Sequence, residues 1–265
     1  MPNRIDQTFS HLRAKNEKGF MAYITGGDPS PERSVDVALA LACAGIDFLE
    51  IGIPFSDPLA DGIVNQLGAQ RALAAGTTVV KILNMIFAIR RKSQIPIVLY
   101  TYLNPLFSYG LEQFEHDAAA AGADGLLLLD LPSEKSFLPA GTLLHRIRLV
   151  APTTSEERLK RIVAKASGFI YYVSQEGVTG ERTELSRTIG ERVSRIRAAT
   201  DLPVSVGFGI SAPDQAAQVA TIADAVVVGS AIVRRIGEFG QDTDLPQRIH
   251  DFVQPLVEAT KQVGC

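Results

Sequence analysis

The chain has 265 residues, 46% hydrophobic and 21% charged, the balance of a globular protein with room for one large α/β domain. Its formal net charge of −3, with no basic cluster longer than Arg90-Arg91-Lys92, argues against a nucleic-acid partner. Two isolated cysteines, Cys43 and Cys265, suggest neither a disulfide framework nor a zinc site, and the polar start MPNRIDQTFSHLRAKNEKGF has no apolar signal segment, so a reducing cytoplasmic location without membrane contact is expected.

Residues 2 to 16 read as an amphipathic helix carrying Ile5, Phe9 and Leu12. A strand from Gly19 to Thr25 follows, closed by Gly26-Gly27-Asp28-Pro29, and then a helix from Pro31 to Ala44. The second strand starts at Phe48 and ends in the turn Pro54-Phe55-Ser56-Asp57-Pro58, with helices expected over 63–75 and 79–92. Pro96 to Tyr102 is a third strand, with a helix near Leu111 to Ala121, and Gly125 to Asp130 is a fourth, with a helix from Ser133 to His145. Arg148 to Pro152 ends a fifth strand, and Ser155 caps the helix that carries Leu159, Ile162 and Val163. The sixth strand, Phe169 to Ser174, leads into a loop with Gly177 and Gly180, before a helix from Leu185 to Ala199. Pro203 to Gly207 is the seventh strand, Ala212 to Ile222 a helix, and Ala225 to Val228 the eighth strand. Gly229-Ser230 opens a short helix, and Leu245 to Gln262 forms a long one.

Short, nearly continuous apolar strands alternating with helices are the pattern of parallel strands covered on the outside. Eight such units without a linker predict an α/β fold of the (β/α)8 or TIM-barrel kind, with residues 1–265 as one domain and an extra helix at the start. A doubly wound sheet is the alternative, but it usually has fewer strands, and no GxGxxG follows the first one.

In a barrel the chemistry sits at the carboxyl ends of the strands. If Leu49, Ile51 and Ile53 face one way, Phe48, Glu50 and Gly52 face the other, which points Glu50 to the side where a glycine leaves room. Desolvation there raises a carboxyl pKa towards the range of proton transfer, and Asp61 beyond the turn offers a second acid in different surroundings. The structural readings compete: Glu50 as a salt-bridged or edge residue, and Asp57 and Asp61 as turn formers before Pro58 and Gly62. No lysine lies at a strand's carboxyl end, so a Schiff base has no nucleophile. His11, His116, His145 and His250 all fall on expected helices, which speaks against a metal cluster, and no cofactor is expected. Gly207-Phe208-Gly209 and Gly229-Ser230, with Gly180 in the sixth loop, fit a phosphate site at the N-terminus of the short helix after the eighth strand; turn and packing roles fit each glycine alone. Tyr23, Tyr100, Tyr102, Leu127 and Tyr171 lie at or near strand ends, either as pocket walls or as core.

The run LEIGIPFSDPLADG from Leu49 to Gly62 closely resembles the signature of the tryptophan synthase alpha chain family. Tyr23 to Pro29 (YITGGDP), Gly177 to Gly180 (GVTG), Gly207 to Pro213 (GFGISAP) and Gly229 to Val233 (GSAIV) resemble further motifs of that family, in the family's order. The resemblance implies retro-aldol cleavage of indole-3-glycerol phosphate to indole and glyceraldehyde 3-phosphate, with a tryptophan synthase beta chain as partner in a heterotetramer. It assigns acid–base catalysis to Glu50, the indole N–H contact to Asp61, and the phosphate to Gly180, Gly209, Gly229 and Ser230. Tyr171 and Thr179 match further active-site positions, and Phe208 lies in the GFG motif. Such a cleavage needs neither lysine nor metal, because an indole protonated at C3 is its own electron sink. A free-standing lyase releasing indole, and a barrel that has lost catalysis and serves as a partner protein, are the alternatives. Ile63 stands where the family usually has a proline, and Tyr100 where an aliphatic residue is expected. The sixth loop, Ser174 to Leu185, is expected to be mobile and to close over the site, with Thr179 reaching Asp61.

Overall fold

In the computed structural model, which describes residues 3–131, 143–173, 182–207 and 209–264 (backbone only over 182–187 and at 264), eight parallel strands close into a barrel in sequence order. They are β1 Gly19–Thr25, β2 Phe48–Gly52, β3 Ile97–Thr101, β4 Gly125–Leu128, β5 His145–Val150, β6 Ile170–Val173, β7 Val204–Gly207 and β8 Ala225–Val228. The helices among the described residues are α1 Arg4–Ala14, α2 Pro31–Cys43, α3 Ile63–Ala74, α4 Val79–Arg90, α5 Leu103–Tyr109, α6 Leu111–Ala121, α7 Glu156–Val163, α8 Arg182–Arg197, α9 Pro213–Ala220, α10 Ser230–Phe239 and α11 Leu245–Lys261.

Period-two alternation sorts each strand into two layers. Leu49, Ile51 and Ile53 face the helices in the outer core. Phe48 joins Met21, Val98, Leu127, Ile147 and Phe169 in the barrel interior, so Glu50 and Gly52 face inwards as well. α1 closes the amino end of this interior: Ile5, Phe9 and Leu12 pack into it, with the Phe9 ring centroid 4.6 Å from that of Phe48. Helix formation there is helped by Asn3, whose side chain accepts from the Ile5 N–H.

Two elements depart from expectation. No helix is expected between Tyr102 and Leu111, yet α5 begins at Leu103. Pro105 falls in its first turn, where the missing N–H has no helical partner to lose. The helix expected from Ser133 to His145 lies largely outside the described residues, and His145 opens β5 instead of ending a helix. The other three histidines are helical, as expected. Charged residues hid this strand: Arg146, Arg148 and His145 interrupt its apolar run. Arg146 is accommodated by Glu115 of α6, with 2.6 Å between Nη2 and Oε2. His145 Nε2 lies 2.9 Å from Asp6 Oδ2 of α1, at the end of the barrel away from the strand carboxyl ends.

At that same end the strands are clamped in pairs. Asp47, Asp124, Ser167 and Asp224 each stand just before an even-numbered strand. Their side-chain oxygens accept from the N–H groups of Phe20, Ile97, Arg146 and Val204, on the preceding odd-numbered strand. Each returns its own N–H to the carbonyl of that same residue. Backbone groups at the barrel's rim are thereby satisfied by side chains.

Opposite them, Arg71 of α3 gathers the elements that frame the strand carboxyl ends. Its Nε and Nη2 donate to the Asp28 carboxylate at 2.8 and 2.7 Å, tying α3 to the loop after β1. Nη2 also reaches the Val233 carbonyl of α10 at 3.4 Å.

Candidate active site

The carboxyl ends of the strands open on a cavity of about 690 Å³. Its wall includes Glu50 and Asp61, the rings of Tyr23, Tyr100 and Tyr171, and the backbone of Gly209, Gly229 and Ser230. Glu50, from the middle of β2, is fully buried, and neither carboxyl oxygen has a hydrogen-bond partner among the described residues. Burial, reinforced by the nearby Asp61, pushes its pKa up to about 8. At neutral pH this carboxyl group therefore carries a proton and has it free to give. The room beside it at Gly52 is taken up by a ring: a Cβ on Gly52 would come within 2.3 Å of the Tyr23 hydroxyl.

Asp61 has the opposite surroundings. The Tyr100 hydroxyl donates to its Oδ1 at 3.0 Å and the Tyr102 hydroxyl to its Oδ2 at 2.8 Å. Burial raises the Asp61 pKa, and hydrogen bonds from Tyr102, Tyr100 and Asn65 pull it back down. Its loop is pinned by the Ala60 N–H, which donates to the Tyr102 hydroxyl, and by Gln66 Nε2, which donates to the Asp61 carbonyl. Two acids thus share one cavity, one unpaired and apolar in its surroundings, the other dressed with donors. Burial first, then the Asp61 charge, lifts the Tyr23 phenol well above its ordinary pKa; burial and then Glu50 do the same for Tyr171.

The remaining expected residues divide three ways. Tyr102 stands behind Asp61 and outside the cavity wall, its ring tilted against Phe55. Leu127 is fully buried in the interior layer and is absent from the wall as well. Thr179, Gly180 and Phe208 lie outside the described residues. Gly209 has φ +46, and among the described residues, its chain neighbours aside, a Cβ there would meet no atom within 4 Å. Gly229 and Ser230 form the start of α10, whose first-turn N–H groups and positive dipole end suit an anion. Sequence reasoning missed Asn65, Val173 and Val227, which also line the cavity. Asn65 lies one helical turn beyond Asp61, and Val173 and Val227 each follow an inward residue by two, signals present in the spacing. Among the described residues no group of three or more His, Cys, Asp or Glu side chains is arranged to hold a metal. Among them, too, no single helix is long and apolar enough to cross a membrane; α3 and α4 pass that test only jointly and are bent by 97°.

A (β/α)8 barrel with two acids and a helix N-terminus around one cavity at the carboxyl ends of its strands has the architecture of a barrel enzyme. The sequence model of the family described as "Tryptophan synthase alpha chain" matches residues 9–261. The tryptophan synthase alpha chain of Geotalea uraniireducens is 47% identical over 266 residues, covering 99% of each chain. That of Nitrosococcus oceani is 45% identical over 97% of each. Among solved structures, tryptophan synthase subunit alpha of Legionella pneumophila superposes with a TM-score of 0.89 at 39% identity, covering 98% of this chain and 99% of that one. A chain of the Mycobacterium tuberculosis tryptophan synthase, in an aminoacrylate-bound form, gives 0.87 at 34% identity, covering 98% and 100%. The chain belongs to the tryptophan synthase alpha chain family, and it is a carbon–carbon lyase of tryptophan biosynthesis.

Proposed function

We propose that Glu50 and Asp61 carry the family's retro-aldol cleavage of indole-3-glycerol phosphate in this cavity. One observation supports this most: a fully buried carboxyl, protonated up to about pH 8, shares the cavity with a second carboxyl held by two phenols. Glu50 gives its proton to indole C3, which leaves a cation spread towards the ring nitrogen. Asp61 accepts the ring N–H and stabilises that cation. The Glu50 carboxylate then takes the proton of the side-chain hydroxyl. The bond from C3 to the side chain breaks, its electrons return to the ring, and an aldehyde leaves. Glu50 ends protonated, as it began.

The phosphate is held by backbone N–H groups at Gly209, Gly229 and Ser230, with Gly180 and the Ser230 hydroxyl, and needs no lysine or arginine clamp. Tyr23, Tyr100 and Tyr171 flank the indole, and Phe208 joins them from the seventh loop. Leu127 supports that pocket from below and Tyr102 from behind. Thr179 completes the site from the sixth loop by orienting Asp61. No cofactor takes part.

The family's partner is the tryptophan synthase beta chain, and we read this chain as docking one in an α2β2 assembly in the cytoplasm. Leu59 and Ile63, 94% and 70% exposed at the rim of the cavity, support docking on this face. Residues 1–265 act as one catalytic domain. The test is steady-state indole release by the isolated chain, with and without a beta chain. Measurable basal release that the beta chain raises supports the reading. No release under either condition overturns it, and basal release indifferent to the beta chain favours a free-standing lyase.

A further inference from the structure

We infer that Tyr100 is a positioning residue for the cleavage: from the cavity side its hydroxyl holds the second oxygen of Asp61, while Tyr102 ties the first to its own loop. The inference rests on the proposed role of Asp61. Both phenols come from one strand run, two residues apart, so they approach the carboxylate from the same side of the sheet. Their attachments differ. The Tyr102 hydroxyl also accepts from the Ala60 N–H at 2.9 Å, and its ring packs on Phe55, with 5.4 Å between centroids, so it is part of the Asp61 loop.

Among the described residues the Tyr100 side chain has no hydrogen bond to that loop other than the one to the carboxylate; its backbone carbonyl accepts from the Ile53 N–H, where the chain leaves β2. Tyr100 pairs with Gly52 across β2 and β3, and its ring meets Tyr23 edge-on at 5.1 Å above that glycine. It lines the cavity, where Tyr102 does not. Gly52 is what permits this: with no side chain between them, the rings from β1 and β3 meet and place one hydroxyl against Asp61.

The two phenols therefore have separable jobs. Loss of the Tyr102 hydroxyl removes a loop anchor as well as a donor. Loss of the Tyr100 hydroxyl removes only the donor facing the ligand. Asp61 works as an anion, and burial opposes that charge. The groups facing it are Tyr23 from β1, Glu50 from β2, Tyr100 and Tyr102 from β3 and its end, Tyr171 from β6, and the uncharged Asn65 from α3. Of these, only the two β3 phenols and Asn65 donate to it. With one donor gone, the carboxylate should hold its proton to higher pH, and the acid limb of the cleavage profile should follow.

The experiment is the pH profile of kcat/KM for wild type, Tyr100→Phe and Tyr102→Phe, with melting temperatures as folding controls. For Tyr100→Phe we expect the acid limb to move up by about one pH unit, the change that one hydrogen bond to a charged group sustains. At neutral pH kcat should fall more than KM rises. Tyr102→Phe should raise KM as well and expose the 56–62 loop to proteolysis. If Tyr100→Phe does not fold, 3-fluorotyrosine at position 100 keeps the ring and strengthens the donor, and the acid limb should then move down. An acid limb unmoved by either change at Tyr100 overturns the inference. Failure of the underlying reading looks different: Asp61→Asn would then retain wild-type turnover.

Discussion

Between its unfolded pKa of 4.5 and its folded pKa of about 8, Glu50 keeps a proton in the folded chain that it gives up on unfolding. The folded state binds more protons in that window, so stability falls as pH rises through it, and the loss is complete above about pH 8. The size is on the order of a few kcal/mol, since a tenfold change in proton affinity corresponds to about 1.4 kcal/mol. Glu50→Gln cannot ionise and removes this slope. We expect its melting temperature to approach that of wild type at pH 5 and to exceed it at pH 8, while cleavage drops by about 10²–10⁴-fold. Parallel melting curves across that range would count against the raised pKa, and more than a tenth of wild-type turnover against the acid–base role. Glu50 was legible from the sequence because strand alternation is a local property. The donors to Asp61 were not, because Tyr100 and Tyr102 stand 39 and 41 positions away and nothing local ties them to it. In the sequence Tyr100 stands out only as a departure from an expected aliphatic residue.

At the scale of elements, the amino end of α10 and the glycine before it are the proposed anion site, and two variants separate backbone from side chain. Ser230→Ala removes one hydroxyl and leaves the helix N-terminus intact, so KM should rise by about tenfold at most. Gly209→Val forces a β-branched residue to φ +46 and fills cavity space, so its KM should rise further. Equal, small effects on KM in both would place the phosphate elsewhere. Strand β8 and helix α6 match their expected bounds to the residue, because apolar runs between glycine or charged punctuation are strong local signals. Strand β5 did not match, because its Arg146 is explained only by Glu115 of α6, an ion pair between elements far apart in sequence. α5 was missed for a different reason: its seven residues hold an Asn-Pro pair that reads locally as a turn.

For the molecule as a whole, the cavity and the strand-pairing side-chain clamps lie at opposite ends of the barrel. The side-chain clamps at Asp47, Asp124, Ser167 and Asp224 stand at the end away from the cavity. Ser167→Ala should cost about 1 kcal/mol, lowering the melting temperature by about 2–4 °C. Asp124→Ala should cost more, because it also strips Arg4 and Arg90 of their carboxylate partner. Both should leave kcat within about twofold of wild type, since neither touches the cavity. A kcat loss matching the stability loss, measured well below the melting temperature, would show that the two ends are coupled.

The clamps join β1 to β2, β3 to β4, β5 to β6 and β7 to β8, and none joins β2 to β3 or β8 to β1. Two of them carry a common spelling, Ala44-Gly45-Ile46-Asp47 and Ala121-Gly122-Ala123-Asp124. At this end the closed barrel is in this sense a ring of four quarter-units, each a small repeat clamped within itself, while backbone ladders, the Tyr100 and Tyr102 bonds to Asp61 and the Arg146–Glu115 ion pair run from one unit to the next. A chain severed at a seam, between Lys92 and Ser93 ahead of β3, keeps every stitch inside one fragment or the other. A cut between Gly45 and Ile46 parts Phe20 from Asp47, and leaves the two pieces to find that clamp again by chance encounter.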